Sequence, residues 1–178
     1  MKKLLLGTTL LAGLFGMQAH ADYVAPSPSV ASQAAQYSIM DINSLIKAAK
    51  AGQAGAQFYL ATKYQYGKDI QKDERQAFAW YKAAADQGLA VAQLNVGRML
   101  ADGMGTRKDE ALARQYFEKA ASRGDNRASF NLAMMEEKKK NYMGAYQWYE
   151  LSTRDGMLDN KVITLSEGKK TALAANLT

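Results

Sequence analysis

The 178-residue sequence contains no cysteine and a single histidine, His20, close to its amino terminus. Without cysteine the chain forms no disulfide, offers no thiolate to zinc and has no thiol nucleophile. Because His20 lies in a segment that we expect to be removed, the mature chain would also lack a Ser-His-Asp triad and a histidine zinc site. These absences exclude most of the familiar hydrolytic machinery. We expect no enzyme, no metal and no cofactor.

Proline is also scarce, since Pro26 and Pro28 are the only two in the chain. They lie among serine, alanine and glutamine in residues 22–37, which show no helical period. We interpret these residues as an extended linker. The remainder of the chain has no proline to interrupt a helix.

The first 21 residues have the features of a secretory signal peptide. Lys2 and Lys3 precede an apolar run from Leu4 to Met17, and residues 19–21 read Ala-His-Ala, a small-x-small cleavage pattern. The competing interpretation is a membrane anchor, but the run has about 14 residues, whereas about 20 are needed to cross a bilayer. We therefore expect an exported chain, periplasmic or secreted, with no membrane insertion after cleavage.

The overall composition is that of one globular domain, with 48% hydrophobic and 22% charged residues. Removal of Lys2 and Lys3 would leave 21 Lys and Arg against 17 Asp and Glu, a net charge of +4. Such a small positive excess, mixed in sign along the chain, favours solubility over a polyanionic partner. We expect no nucleic-acid partner, and the sequence leaves the oligomeric state open.

The chain repeats itself with a period of 36 residues. Gly52, Gly88 and Gly124 keep this interval, and so do the alanines four positions after each of them. The third unit is four residues shorter between its halves, because Ala133 to Ala145 spans 12 positions where the earlier units span 16. The units cover about residues 52–87, 88–123 and 124–155.

Each unit contains two helical patterns, which in the first unit cover Ala54–Tyr66 and Asp73–Gln87. Asp73 is placed as the N-cap of the second helix, and Gly88 follows its carboxyl end, as Gly124 and Gly156 do in the later units. Aromatic residues recur on the second helices. We predict that they pack between neighbouring hairpins as core and do not bind carbohydrate; they are Trp80, Tyr81, Tyr116, Phe117, Trp148 and Tyr149.

Two flanking helices complete the predicted domain, which covers residues 38–178. Ser38–Ala51 should open the array and Asp159–Asn176 should close it, since both carry apolar residues at helical spacing. A single hairpin cannot bury both of its apolar stripes, so the hairpins must stack. The predicted fold class is all-α, an α/α superhelix of about three hairpins.

The first unit resembles a Sel1-like repeat, a relative of the tetratricopeptide repeat with a longer period. The resemblance rests on residues at fixed spacing: Gly52, Ala56, Gln57, Leu60, Ala61, Tyr64, Gly67, Asp73, Ala77, Trp80, Tyr81, Ala84, Ala85 and Gly88. Two departures stand out. Asp69 replaces the second glycine of the first inter-helix loop, whereas Gly103 and Gly105 keep both glycines in the second. The third unit lacks the glycine loop and has three lysines, residues 138–140, nearby.

The resemblance implies an α/α superhelix that acts as an adaptor or binding surface, usually without chemistry of its own. We therefore expect a non-enzymatic protein-interaction adaptor or scaffold in the cell envelope. One alternative, also implied by the family, is an immunity or inhibitor protein that binds a secreted toxic effector. Another is a protein that binds or hydrolyses peptidoglycan or a β-lactam, although that branch is rich in cysteine and this chain has none.

The candidate binding surface lies on the first helices of the units, which line the concave side of such a stack. The face opposite Leu60 and its repeat counterparts carries amide, aromatic, thioether and charged groups, which suit an extended peptide or a partner helix. The predicted partner-binding residues are Tyr59, Thr62, Lys63, Tyr66, Asn95, Arg98, Met99, Asp102, Asn131, Met134, Met135 and Lys138. The alternative is an ordinary solvated face with Met99 and Met135 partly buried.

Two groups of charged residues offer further candidate sites. Glu136 and Glu137, next to the lysines at 138–140, are expected to form a solvated helix end and loop, with an electrostatic docking point as the alternative. Carboxylates could in principle supply an acid/base pair, as in a glycosidase; they are Asp69, Asp73, Asp102 and Asp109. No two of them stand out from a helix-capping pattern, so we predict no catalytic residue.

Overall fold

The computed structural model describes residues 35–154, 159–175 and 177. The predicted signal peptide, most of the predicted linker and Gly156 lie outside these residues. The linker prediction is wrong at its end, because residues 35–39 are helical. Tyr37 lies over Gly55, and its hydroxyl donates a hydrogen bond to Gln53 Oε1 at 2.7 Å. This contact holds the segment against the domain, and no proline follows Pro28 to oppose a helix there.

Eight further helices follow, and the described residues contain no strand. They are α1 (Ile42–Lys50), α2 (Ala54–Tyr66), α3 (Glu74–Asp86), α4 (Ala90–Asp102), α5 (Glu110–Ser122), α6 (Asn126–Lys138), α7 (Tyr142–Arg154) and α8 (Asn160–Ala174). The all-α prediction is confirmed.

The helices pair in the order that the repeat predicts. Helices α2 and α3, α4 and α5, and α6 and α7 form three hairpins, and each hairpin packs on the next. The opening helix α1 packs on α2, while the closing helix α8 packs on α7 and contacts α6. The structure is therefore a stack of three hairpins with one extra helix at each end.

The opening helix begins later than the sequence predicts, at Ile42 instead of Ser38. Asp41 is its N-cap, in an extended conformation, and the Asp41 carboxylate accepts from the Ser44 amide at 3.0 Å. A side chain that caps the first turn fixes the residue at which the helix begins. Hydrogen bonds from Ser44 also hold the pKa of Asp41 below its usual value.

The predicted caps are confirmed where the structure describes them. The Asp73 carboxylate accepts from the amides of Arg75 and Gln76, at 2.9 and 3.0 Å, and thereby satisfies free donors at the start of α3. Asp109 accepts from the Leu112 amide at 2.9 Å and does the same for α5. These contacts fix the second helix of each of the first two units at the register of the repeat.

The aromatic residues belong to the core, as predicted. Tyr81, Phe117 and Tyr149 are at most 2% exposed, and each lies against the first helix of its own hairpin. Trp80 packs against two apolar clusters, one formed by α1 and α2 and one centred on α3 to α5, and Trp148 similarly packs against the cluster at the end of the stack. Each tryptophan therefore lies where two apolar clusters of the stack meet.

A candidate interaction groove

One open groove lies between the carboxyl-terminal halves of α4 and α6, above the start of α5. Its volume is about 560 Å³. We call it the α4/α6 groove. Its lining combines an apolar floor with charged walls and consists of Arg98, Ala101, Asp102, Lys108, Glu110, Phe117, Asn131, Met134, Met135, Lys138 and Lys139.

A glycine in α4 gives the Phe117 ring the space it needs at the floor of the groove. The Phe117 ring lies so close to the α4 backbone that a Cβ on Gly97 would be 2.6 Å from Phe117 Cε1. Phe117 is 2% exposed and anchors the floor in the core, whereas Met134 is 48% exposed on the wall formed by α6. A partner would therefore contact the flexible thioether of Met134 above a floor that the buried Phe117 ring supports.

The groove is open because the third inter-helix loop is short. In the second unit, residues 103–109 fold back onto the start of α3, and a Cβ on Gly105 would be 2.0 Å from the Glu74 carbonyl oxygen. The counterpart of Glu74 one unit later is Glu110, which lines the groove. The loop that would cover Glu110 has only residues 139–141, so this end of the groove stays accessible.

Two lysines take the place of a covering loop at Glu110. Lys138 Nζ lies 2.8 Å and Lys108 Nζ 3.2 Å from Glu110 Oε1. Hydrogen bonds from Lys138 and then Lys108, together with their charges, hold the pKa of Glu110 below its usual value. Glu110 is therefore ionised at neutral pH, and its charge is matched within the wall of the groove.

The remaining charges of the groove are less closely matched, since Lys139 interacts electrostatically with Glu136 without forming an ion pair. Among the described residues, no ion pair is formed by Arg98, Asp102 or Lys139, and Arg98 and Lys139 are exposed. Four cations (these two with Lys108 and Lys138) face two anions (Asp102 and Glu110), so the lining carries a net charge of +2.

Half of the predicted partner-binding residues line this groove. They are Arg98, Asp102, Asn131, Met134, Met135 and Lys138. They come from α4 and α6, the first helices of the second and third units. The structure brings them together but does not test whether they bind a partner.

Two predicted residues point inwards, so their placement on the open face is wrong. Met99 is 1% and Lys63 9% exposed, and Lys63 forms an ion pair with Asp69. The two residues occupy the same repeat position, three residues after Leu60 or Val96. Three residues along a helix of 3.6 residues per turn return to within about 60° of the starting direction. This position therefore borders the apolar stripe and does not oppose it.

The other four predicted residues lie outside the groove, on α2 and the first half of α4. Thr62 Oγ1 is 3.0 Å from the Tyr81 hydroxyl and donates to the Phe58 carbonyl oxygen, so its polar group is used within the domain. Tyr59 is half-buried against the Phe58 ring, with centroids 5.3 Å apart, and Asn95 is also half-buried. Tyr66 is 72% exposed.

The carboxylates at the end of α6 are part of the packing, so the prediction of a solvated helix end is wrong for Glu136 and Glu137. Glu136 forms an ion pair with Arg114 and accepts from Asn141 Nδ2 at 2.7 Å. Glu137 accepts from the Tyr149 hydroxyl at 2.8 Å and from Lys169 at 3.0 Å. Burial acts to raise the pKa of Glu137, but these two hydrogen bonds outweigh it and the net shift is downwards.

Sequence reasoning missed the floor and one wall of the groove, namely Ala101, Lys108, Glu110, Phe117 and Lys139. The prediction that Phe117 belongs to the core is correct, and the residue also lines the floor of the groove. The usable signal was the loss of four residues from the third loop.

The described residues contain no group of three or more His, Cys, Asp and Glu side chains placed to hold a metal ion. Within the same part of the chain, every helix is too short or too polar to cross a membrane.

The stack of hairpins and its open groove define the class of the protein, an α/α solenoid of the kind that presents a surface to other molecules. Three Sel1 repeats match residues 54–89, 90–125 and 127–157, which together cover more than half of the chain. The chain belongs to the Sel1 repeat family. Members of this family typically mediate protein–protein interaction and are generally non-catalytic scaffolds.

Two solved structures support the fold. The Sel1 repeat protein from Oxalobacter formigenes is 27% identical, with a TM-score of 0.61, over 71% of this chain and 60% of its own length. The c5321 protein, a protective antigen of uropathogenic Escherichia coli with an SLR fold, is 30% identical with a TM-score of 0.61. That match covers 62% of this chain and 25% of the antigen. The chain thus spans only part of both relatives. No curated protein matches it significantly.

Proposed function

We propose that this chain is a non-enzymatic adaptor of the cell envelope that binds another protein through the α4/α6 groove. The observation that carries the proposal is the coincidence of two independent features. Six residues predicted from the sequence as a binding surface lie together, and the one shortened loop leaves that place open. A location in the envelope is supported by the signal-peptide pattern of residues 1–21.

The lining of the groove suits a polypeptide. The Asn131 side chain donates through Nδ2 to the Arg127 carbonyl oxygen at 2.7 Å, and none of the described residues donates to its Oδ1. That oxygen is therefore available to accept from a backbone amide of the partner. Met134 and the half-buried Met135 supply an apolar contact that adapts to one inserted side chain.

A charge introduced at Met134 should weaken partner capture without unfolding the domain. In the variant Met134→Asp, the apolar contact of Met134 is lost and the partner would have to desolvate a carboxylate above the apolar floor. Affinity capture from envelope extract is expected to recover at least about tenfold less of the partner than the wild-type chain does. The measurement is quantitative mass spectrometry of the captured proteins.

The matched control is Met143→Asp. Met143 is 55% exposed, comparable to Met134 at 48%, but it lies on α7 and does not line the groove. This variant should capture the partner at the wild-type level, and both variants should keep the wild-type helical circular dichroism. Equal capture by the two variants would show that the partner binds elsewhere on the chain.

A further inference from the structure

The charge pattern of the α4/α6 groove indicates the chemistry of its partner. We infer that the groove binds an acidic segment of another protein, in which carboxylates flank one apolar anchor side chain. This inference rests on the proposed function and specifies the partner of the same site.

The first argument is the distribution of matched and unmatched charge. Glu110 is already paired with Lys108 and Lys138, so it does not require a cation from the partner. Arg98 on α4 and Lys139 at the end of α6 form no ion pair among the described residues, and both are exposed. A carboxylate of the partner would give each of them a direct ion pair, and the guanidinium of Arg98 could bind it in a bidentate manner.

The second argument is the position of the apolar surface between these cations. Arg98 and Lys139 belong to opposite walls, with Phe117 below and Met134 and Met135 beside them. A segment that reaches both cations must therefore cross the floor, where an apolar side chain gains contact area and a charged one loses hydration. Asp102 follows Arg98 by one turn on the same wall and forms no ion pair among the described residues, so it weakens the attraction of a partner carboxylate to Arg98 more than to Lys139.

The charges should contribute mainly to selectivity and to the rate of association. Exposed charges are screened at distances beyond about 10 Å in about 0.1 M salt. Affinity for an acidic segment should therefore fall with rising ionic strength, whereas affinity that depends on apolar contact alone should not.

The test is a selection from a displayed library of random peptides about 12 residues long, carried out on the full chain. Peptides retained by the wild-type chain are then compared for binding to Met134→Asp, to the double variant Arg98→Gln/Lys139→Gln, and to the control Met143→Asp. We expect peptides that are enriched in Asp and Glu around one apolar residue and that bind Met143→Asp like the wild type. They should bind the double variant about tenfold more weakly and should lose about tenfold in affinity between about 0.05 M and about 0.5 M NaCl.

The other outcomes separate the inference from the proposed function. Peptides that depend on Met134 but lack an acidic excess, or that bind the double variant normally, would overturn the acidic partner and leave the groove as a docking site. Absence of any peptide sensitive to Met134→Asp would contradict both. A wild-type dimer that dissociates on Met134→Asp, observed by analytical ultracentrifugation, would place a second copy of this chain in the groove and overturn the inference.

Discussion

Replacement of Gly105 by alanine is expected to lower the free energy of unfolding by about 3–4 kcal/mol. Gly105 has a φ of +67°, which disfavours any residue with a Cβ, and that Cβ would be 2.0 Å from the Glu74 carbonyl oxygen. The contact is with backbone at the start of α3, so relief requires the second loop or the first hairpin to move. Urea unfolding followed by circular dichroism measures the loss.

The matched control for Gly105→Ala is Gly52→Ala. Gly52 has a φ of +86°, so both variants place alanine in the left-handed region and share its strain, but a Cβ on Gly52 would have no neighbouring atom within 4 Å. Only Gly105→Ala adds the collision with Glu74. A loss of stability for Gly105→Ala no greater than that for Gly52→Ala would show that the second loop does not need to lie against α3.

Replacement of Trp80 by alanine should cost about 3 kcal/mol of unfolding free energy. Trp80 contacts the cluster of α1 and α2 as well as the larger cluster of α3 to α5, so its removal opens space between two neighbouring packing layers. The same urea titration measures this cost. We also expect faster amide hydrogen exchange in α1 and α2, because these helices lose part of the surface against which they pack.

The control for Trp80→Ala is Tyr66→Ala, which removes a large aromatic ring that is 72% exposed at the end of α2. Removal of a solvent-exposed side chain leaves no cavity, so the free energy of unfolding should change by no more than about 0.5 kcal/mol. Similar losses for the two variants would contradict the assignment of Trp80 as a contact between the two clusters.

The repeat predicts most of the fold, because a period of 36 residues fixes helix positions more tightly than local propensity does. It places α2 at Ala54–Tyr66, where the structure has it, and Asp73 and Asp109 as N-caps. The opening helix has no counterpart in register, and there the prediction is wrong by four residues. The capping bond of Asp41 to Ser44 decides its start, and Asp is common enough in solvent-exposed positions that this bond is not evident from sequence.

The candidate site is less predictable than the fold. The face opposite the apolar stripe around Leu60 predicts Lys63 and Met99 as exposed. Both residues lie only about 60° around the helix from that stripe, so they border the core and are buried. The short third loop is visible in the sequence, but its consequence is not. Only the contact of Gly105 with Glu74 shows that the seven-residue loop covers the place that is open one unit later.

The most direct test of the central claim, that the α4/α6 groove is the partner-binding surface, is photo-crosslinking in cells. A photoreactive benzoylphenylalanine is placed at Met134 in one strain and at Met143, which is equally accessible but lies outside the groove, in another. Irradiation should give a defined crosslinked protein from position 134 and none from position 143. A crosslinked protein from position 143 alone would contradict the claim.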